Sequence, residues 1–220
     1  MNIAEFDELY AVRHQDESRD KCLAATRDPI GYAWLWRAAR LKHFLAMQFL
    51  DAGDKAAAQS AYAAGAGWAK LAELEKYDEV EGAFWKAVCD LEVAQLQGKL
   101  AAGLALPAAE KRLNRCCGLN EGYHYAGPVR ILGRIYHLRP LLLGGNLDRA
   151  LAFHRRSLQL YPDNSTNLLY TADALLADRQ PNEARVLIHR VLELEPVKDW
   201  VWETERDRRL AREWLRTRLD

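Results

Sequence analysis

Apolar and small residues recur along this chain at steps of three and four, the period of helices, and nowhere alternate as they would in half-buried strands. The pattern predicts a first helix over about Asp16 to Thr26, closed by Asp28-Pro29. A second runs from Ile30 to Leu50, with Trp34, Ala38, Leu41 and Leu45 on its buried face. Asp51 to Asp54 reads as a turn, and Ala58, Tyr62 and Gly65 open the next helix at steps of four and three. A long helix is expected over Asp78 to Gly98, turning Phe84, Val88, Leu91 and Val93 inward, with Trp85 and Cys89 beside them. A break is expected from Gly98 to Pro107, where proline suits a first helical position. Tyr123 to Arg139 forms a helix interrupted near its start by Gly127-Pro128, and Pro140 to Asn146 is a long loop. Beyond Pro196, Trp200, Trp202 and Trp214 stand among many charges, the composition of a capping helix with one buried and one solvated face.

The second half repeats itself. Ala150, His154, Ser157 and Pro162 are spaced 4, 3 and 5, and Ala184, Ile188, Val191 and Pro196 reproduce those steps 34 residues later. The arm before the first set carries Leu132, Gly133 and Tyr136; the arm before the second carries Ala172 and Leu175. Small residues at such positions let two antiparallel helices touch, and the proline stops the second helix of each pair. This is the rhythm of a tetratricopeptide (TPR) repeat. The fold expected is all-α: a TPR-like superhelix of about eleven helices in antiparallel pairs, ending in a capping helix. It is expected as one domain over residues 1–220, with its clearest repeats at 127–162 and 165–196 and degenerate ones at 29–75 and 78–118. Stacked pairs make surfaces for holding a partner more readily than reaction centres.

Composition narrows the partner only partly. Lys+Arg and Asp+Glu both number 31, so no global field draws the chain to nucleic acid or an acidic membrane. The halves differ: residues 1–110 carry 12 basic and 17 acidic side chains, residues 111–220 carry 19 and 14, and 17 of those 19 are Arg. Arginine suits carboxylate recognition, although pairing within and between helices accounts for the bias as well. No uncharged apolar run approaches a membrane span, and the acidic start lacks the pattern of a signal peptide. A cytoplasmic protein is expected, or a periplasmic one if a leader has been removed. Cys22 and Cys89 lie in no CxxC motif, and adjacent Cys116-Cys117 with His124 lack a fourth ligand at a known spacing. Four free thiols, no metal and no cofactor are expected. His124 has no nucleophile at a familiar spacing, and Gly65-Ala66-Gly67 follows no strand, so no catalytic residue and no enzyme activity is expected.

A candidate groove follows from the repeat register. With Gly133 at the small position, Arg130, Arg134 and His137 share the inner face of their helix; with Ala39 there, Trp36, Arg40 and His43 do so on theirs. Tyr123 and Tyr125 lie near the first set in sequence. Such a groove could clamp a carboxylate bidentately while an aromatic ring packs on its apolar part. The guest is then a peptide or protein segment, or a small anionic or apolar ligand; a homo-oligomer is compatible with either. The alternative is internal pairing of these side chains with Glu81, Glu92 or Asp173. An Arg134 held by a neighbouring helix's carboxylate would leave only the generic scaffold reading.

Trp36-Arg37-Ala38-Ala39-Arg40 after Asp28-Pro29, Tyr62-Ala63-Ala64-Gly65 with Ala69 and Ala72, and Phe84-Trp85 follow one another in a distinctive order. Gly127-Pro128-Val129-Arg130-Ile131-Leu132-Gly133-Arg134-Ile135-Tyr136, Pro140 and Gly144-Gly145-Asn146-Leu147 continue it. From about Asp16 to Pro196 this order resembles the T-component family associated with TRAP transporters. The resemblance implies a TPR-like helical fold, a lipid-anchored periplasmic setting, association with the transporter's solute-binding subunit and a bound hydrophobic ligand. The chain departs from the family in showing no lipoprotein leader and no lipid-accepting Cys at its start.

Overall fold

The computed structural model describes residues 1–219 and contains eleven α-helices with no strand among them. They gather into two compact units, Met1–Asn120 (unit 1) and Glu121 onward (unit 2). Among the described residues no helix is long and apolar enough to cross a membrane.

Unit 1 holds α1 (Ile3–Ala11), α2 (Asp16–Ala25), α3 (Tyr32–Asp51), α4 (Lys55–Glu75), α5 (Val80–Gln97) and α6 (Lys99–Asn120). Helices α3 to α6 pack in sequence, each folding back on the last, while α1 and α2 cover α3. The expected inner residues are inside: Ala38, Leu41, Ala58, Tyr62, Phe84, Trp85, Val88, Cys89 and Leu91 are buried. Trp34 and Leu45 pack at the edge of the cluster formed by Phe6, Tyr10, Cys22 and Leu41. Helices α3, α4 and α5 approach closely at Gly65, where a Cβ would lie 3.0 Å from Cys89 Sγ and 3.2 Å from the Ala39 carbonyl oxygen. The close approach is the physical content of the small-residue signature.

Two elements of unit 1 differ from the sequence expectation. Helix α1 arises from residues that carry no repeat pattern. A capping box starts it: Asn2 Oδ1 accepts from the Glu5 amide at 2.9 Å, and Glu5 Oε2 accepts from the Asn2 amide at 3.0 Å. Phe6 and Tyr10, one helical turn apart, are buried. The expected break from Gly98 to Pro107 shrinks to a single residue. Gly98 turns the chain at φ +115°, α6 begins at Lys99, and Pro107 lies inside that helix. Apart from Gly103 and Pro107, the stretch 100–108 is Ala and Leu, strong helix formers that tolerate one lost backbone bond in a largely solvated segment.

Unit 2 holds α7 (Tyr123–Leu138), α8 (Leu147–Leu160), α9 (Ser165–Ala177), α10 (Pro181–Glu193) and α11 (Val201–Trp214). The strongest packing is α7 on α8 and α9 on α10, with α11 against α9 and α10. Apart from the two terminating prolines, the repeat-marking residues of the helix pairs are buried: Leu132, Gly133, Tyr136, Ala150, His154 and Ser157 in one, Ala172, Leu175, Ala184, Ile188 and Val191 in the other. Asn146 and Asn164 cap α8 and α9, accepting from the amides of Arg149 at 2.8 Å and Asn167 at 3.1 Å. In the loop before α8, a 3₁₀ turn over Leu141–Leu143 leaves all three leucines exposed. The expected capping helix is α11, but Glu203, Thr204 and Asp207 are buried on it along with Ala211.

Candidate functional site

Trp36, Arg40 and His43 are placed by α3 in unit 1. Arg37 and Arg40, one turn apart, converge on Asp7 of α1: Arg37 Nε and Nη2 donate to its two carboxylate oxygens at 2.9 and 2.5 Å, and Arg40 Nη2 donates to Oδ1 at 3.1 Å. Both guanidinium groups lie over the Trp36 ring, 4.0 and 5.0 Å from its centroid, and that of Arg40 also stacks on Tyr10 at 3.7 Å. A planar fork over an indole, with a carboxylate held bidentately, makes a clamp. Its guest is the chain's own Asp7. His43 sits deeper, its ring 5.4 Å from Tyr62 and 5.2 Å from Trp85. Arg37, whose role had no sequence signal beyond its place beside Trp36, supplies the bidentate half of the clamp.

Tyr123, Tyr125, Arg130, Arg134 and His137 are placed by α7 in unit 2. The interruption of this helix is not at Gly127-Pro128 but in the three residues before it. His124, Tyr125 and Ala126 all take left-handed angles, φ 50°, 58° and 59°. An L-residue there costs roughly 1–2 kcal/mol, so three in a row persist only where the surroundings fix them. The fixing contacts are clear. Arg130, 5% exposed, donates through Nη1 to the Tyr125 carbonyl at 2.9 Å and to Asn167 Oδ1 at 3.0 Å. Asn167 Nδ2 reaches the same carbonyl at 3.2 Å. Tyr125's hydroxyl donates to Asp199, and its ring packs edge-on against Tyr161 at 5.4 Å and Trp200 at 4.9 Å. His124 also meets Trp200, edge-on at 5.0 Å, and Tyr123 lies 6.1 Å from His124. The result is a rigid aromatic shelf carried by a strained backbone. Burial pushes the Arg130 guanidinium down to about 10, still charged at neutral pH.

One turn along, Arg134 donates to Asp173 of α9, whose other oxygen accepts from Arg218 at 2.7 Å. His137 Nδ1 lies 3.9 Å from the same carboxylate. Burial works against the Asp173 charge, but the hydrogen bonds from Arg134 and Arg218 prevail and hold its carboxyl below the usual range. Burial keeps His137 below its ordinary value, against the pull of Asp173. Arg134 is therefore held by a neighbouring helix, the arrangement set out above as the alternative to an open anion clamp.

Behind the shelf lies a polar layer that the repeat register does not reveal. Asp207 of α11, fully buried, accepts from Ser165 Oγ at 2.8 Å and Thr166 Oγ1 at 2.6 Å, and Arg206 Nη2 lies 3.3 Å away. Trp200 Nε1 donates to Thr166 Oγ1 at 3.3 Å. The signal for this layer was the run Asn164-Ser165-Thr166-Asn167 opening α9, too many hydrogen-bonding groups for a cap alone. No group of three potential metal ligands gathers among the described residues, and Cys22, Cys89, Cys116 and Cys117 are unbridged. Burial raises the Cys22 thiol to about 11 and the Cys116 thiol to about 12, and lifts Cys89 further.

Comparison with curated proteins finds no match. The model of one family, described as TRAP transporter T-component, matches residues 33–200, from the Trp36–Arg40 segment through the aromatic shelf to Trp200. With three quarters of its length matched, the chain belongs to the TRAP transporter T-component family.

Proposed function

We propose that this protein is a non-enzymatic binding component of a TRAP-type transporter and engages the solute-binding subunit through the aromatic shelf of unit 2. The observation that carries the proposal is the left-handed turn His124–Ala126, clamped from behind by Arg130 and Asn167. Backbone strain of that size concentrates at ligand clamps and recognition surfaces, where it pre-shapes the contact. Tyr123, Tyr125 and Tyr161 each keep part of their surface exposed, giving large contact area at small entropic cost. Family membership supplies the transporter context. Isothermal titration of the protein with the solute-binding subunit of a TRAP transporter from the same organism tests it. Tyr161→Ala is expected to weaken binding at least tenfold with the melting temperature within a few degrees. Binding unchanged by both Tyr161→Ala and Tyr123→Ala would remove the shelf from the contact.

A second reading is favoured by the clamp of unit 1. There Arg37, Arg40 and Trp36 hold an acidic residue on a helix whose Phe6 and Tyr10 pack inward. That is how a repeat adaptor would grip an acidic peptide, with α1 as the built-in guest. A peptide spanning residues 1–12, added to protein lacking them, should rebind, and its Asp7→Ala form should not.

A further inference from the structure

We propose that a cleft between α2, α3 and α4 of unit 1 binds a small organic anion with an apolar body. The cleft has a volume of about 590 Å³, the size that takes a ligand of metabolite dimensions. Its wall carries two cations, Arg27 at the end of α2 and Lys42 on α3, and neither has an ion-pair partner among the described residues. Trp68, Leu23 and Ala64 line the same cleft. Other arginines of unit 1 are committed: Arg37 and Arg40 to Asp7, Arg112 and Arg115 to Glu73. Two uncommitted cations and an indole lining one concave space are a recognition element for an anionic head with an apolar body.

The same helix extends the site on its apolar side. Trp68 and Ala64 also border a hollow of about 380 Å³ together with Gly67 and Leu71. A Cβ on Gly67 would meet nothing within 4 Å, so a side chain placed there occupies the hollow without touching the fold. From Leu71 a further hollow of about 360 Å³ leads to Leu74, 71% exposed, and Ile30, 86% exposed. Head and tail needs are thus met in order along α4: charge at one end, then an aromatic wall, then aliphatic surface. Asp20 is the carboxylate of the cleft, its side chain 70% exposed and 3.9 Å from Arg19, so solvent screens it; Glu75 borders only the far hollow. A carboxylate bearing a medium-length aliphatic or aromatic group satisfies all of these features. The site is independent of the shelf in unit 2, so its failure leaves the proposed function untouched.

Calorimetry of the intact protein with octanoate, 1-octanol and acetate is the test. Octanoate should bind one-to-one with a dissociation constant of about 0.1 mM or tighter, while octanol and acetate each bind at least tenfold more weakly. Arg27→Gln and Lys42→Gln should each weaken octanoate tenfold or more. Gly67→Leu, which fills the hollow without crowding the fold, should do the same with an unreduced melting temperature. Asp20→Asn should tighten it. The proposal is overturned if octanoate gives no heat at ten times that concentration, if octanol binds equally well, or if the three weakening variants bind like the parent.

Discussion

His154 and Gly133 share one site in unit 2 and set its response to pH. The His154 ring is fully buried, neither nitrogen has a protein hydrogen-bond partner, and a Cβ on Gly133 would lie 2.7 Å from its Cε1. Burial first, then the charges of His137 and Arg134, push the imidazole from 6.5 down to about 3. The folded protein therefore refuses a proton that the unfolded chain accepts. Stability from this group is complete above about pH 6.5 and falls by about 1.4 kcal/mol per pH unit below it, until the folded group titrates. Asp173, held below its ordinary value, adds a loss of the same sign at lower pH. Thermal melts between pH 7.5 and 4.5 should show a steep decline for the parent and a much flatter one for His154→Phe; parallel declines would contradict it. Gly133→Ala should cost about 1–3 kcal/mol by driving a methyl into the ring. Asp173→Ala should cost a similar amount, because Arg134 and Arg218 lose their shared partner while remaining part-exposed.

Helices were legible where their inner faces follow a strict step. The positions at 150, 154 and 157 and their counterparts at 184, 188 and 191 are all fully buried. Helix α1 was not legible, because nine residues carry too few turns for periodicity and its formation rests on a capping box and on Asp7 meeting α3. The Gly98–Pro107 break misread proline as a start, when helix formers on both sides carry the backbone through it. At the site, the register placed Arg40 and Arg134 on their helices and Asp173 stood among the carboxylates of the alternative reading, but Asp7 had no local trace as the partner of Arg40. The left-handed turn was invisible for a related reason: His124, Tyr125 and Ala126 have no preference for those angles, and contacts from α9 and from around Trp200 impose them. Glycine inside a helix offers a check on the register. Gly118→Ala, with open space around its new methyl, should stabilise the protein by about 0.5–1 kcal/mol in denaturant melts, opposite in sign to Gly133→Ala.

Across the whole molecule the arginine excess of the second half resolves largely into internal pairing. Arg112 and Arg115 grip Glu73, Arg134 and Arg218 share Asp173, Arg156 takes Glu121, Arg190 takes Asp163 and Arg206 adjoins Asp207. The exposed pairs contribute little to stability, and the buried ones fix how helices meet. The most direct measurement of the central claim is light scattering during gel filtration of this protein mixed with the solute-binding subunit of a TRAP transporter from the same organism. A stable complex of defined stoichiometry, lost with Tyr161→Ala, is expected. Separate elution of the two proteins at micromolar concentration would contradict the assignment of this fold to a transporter-binding role.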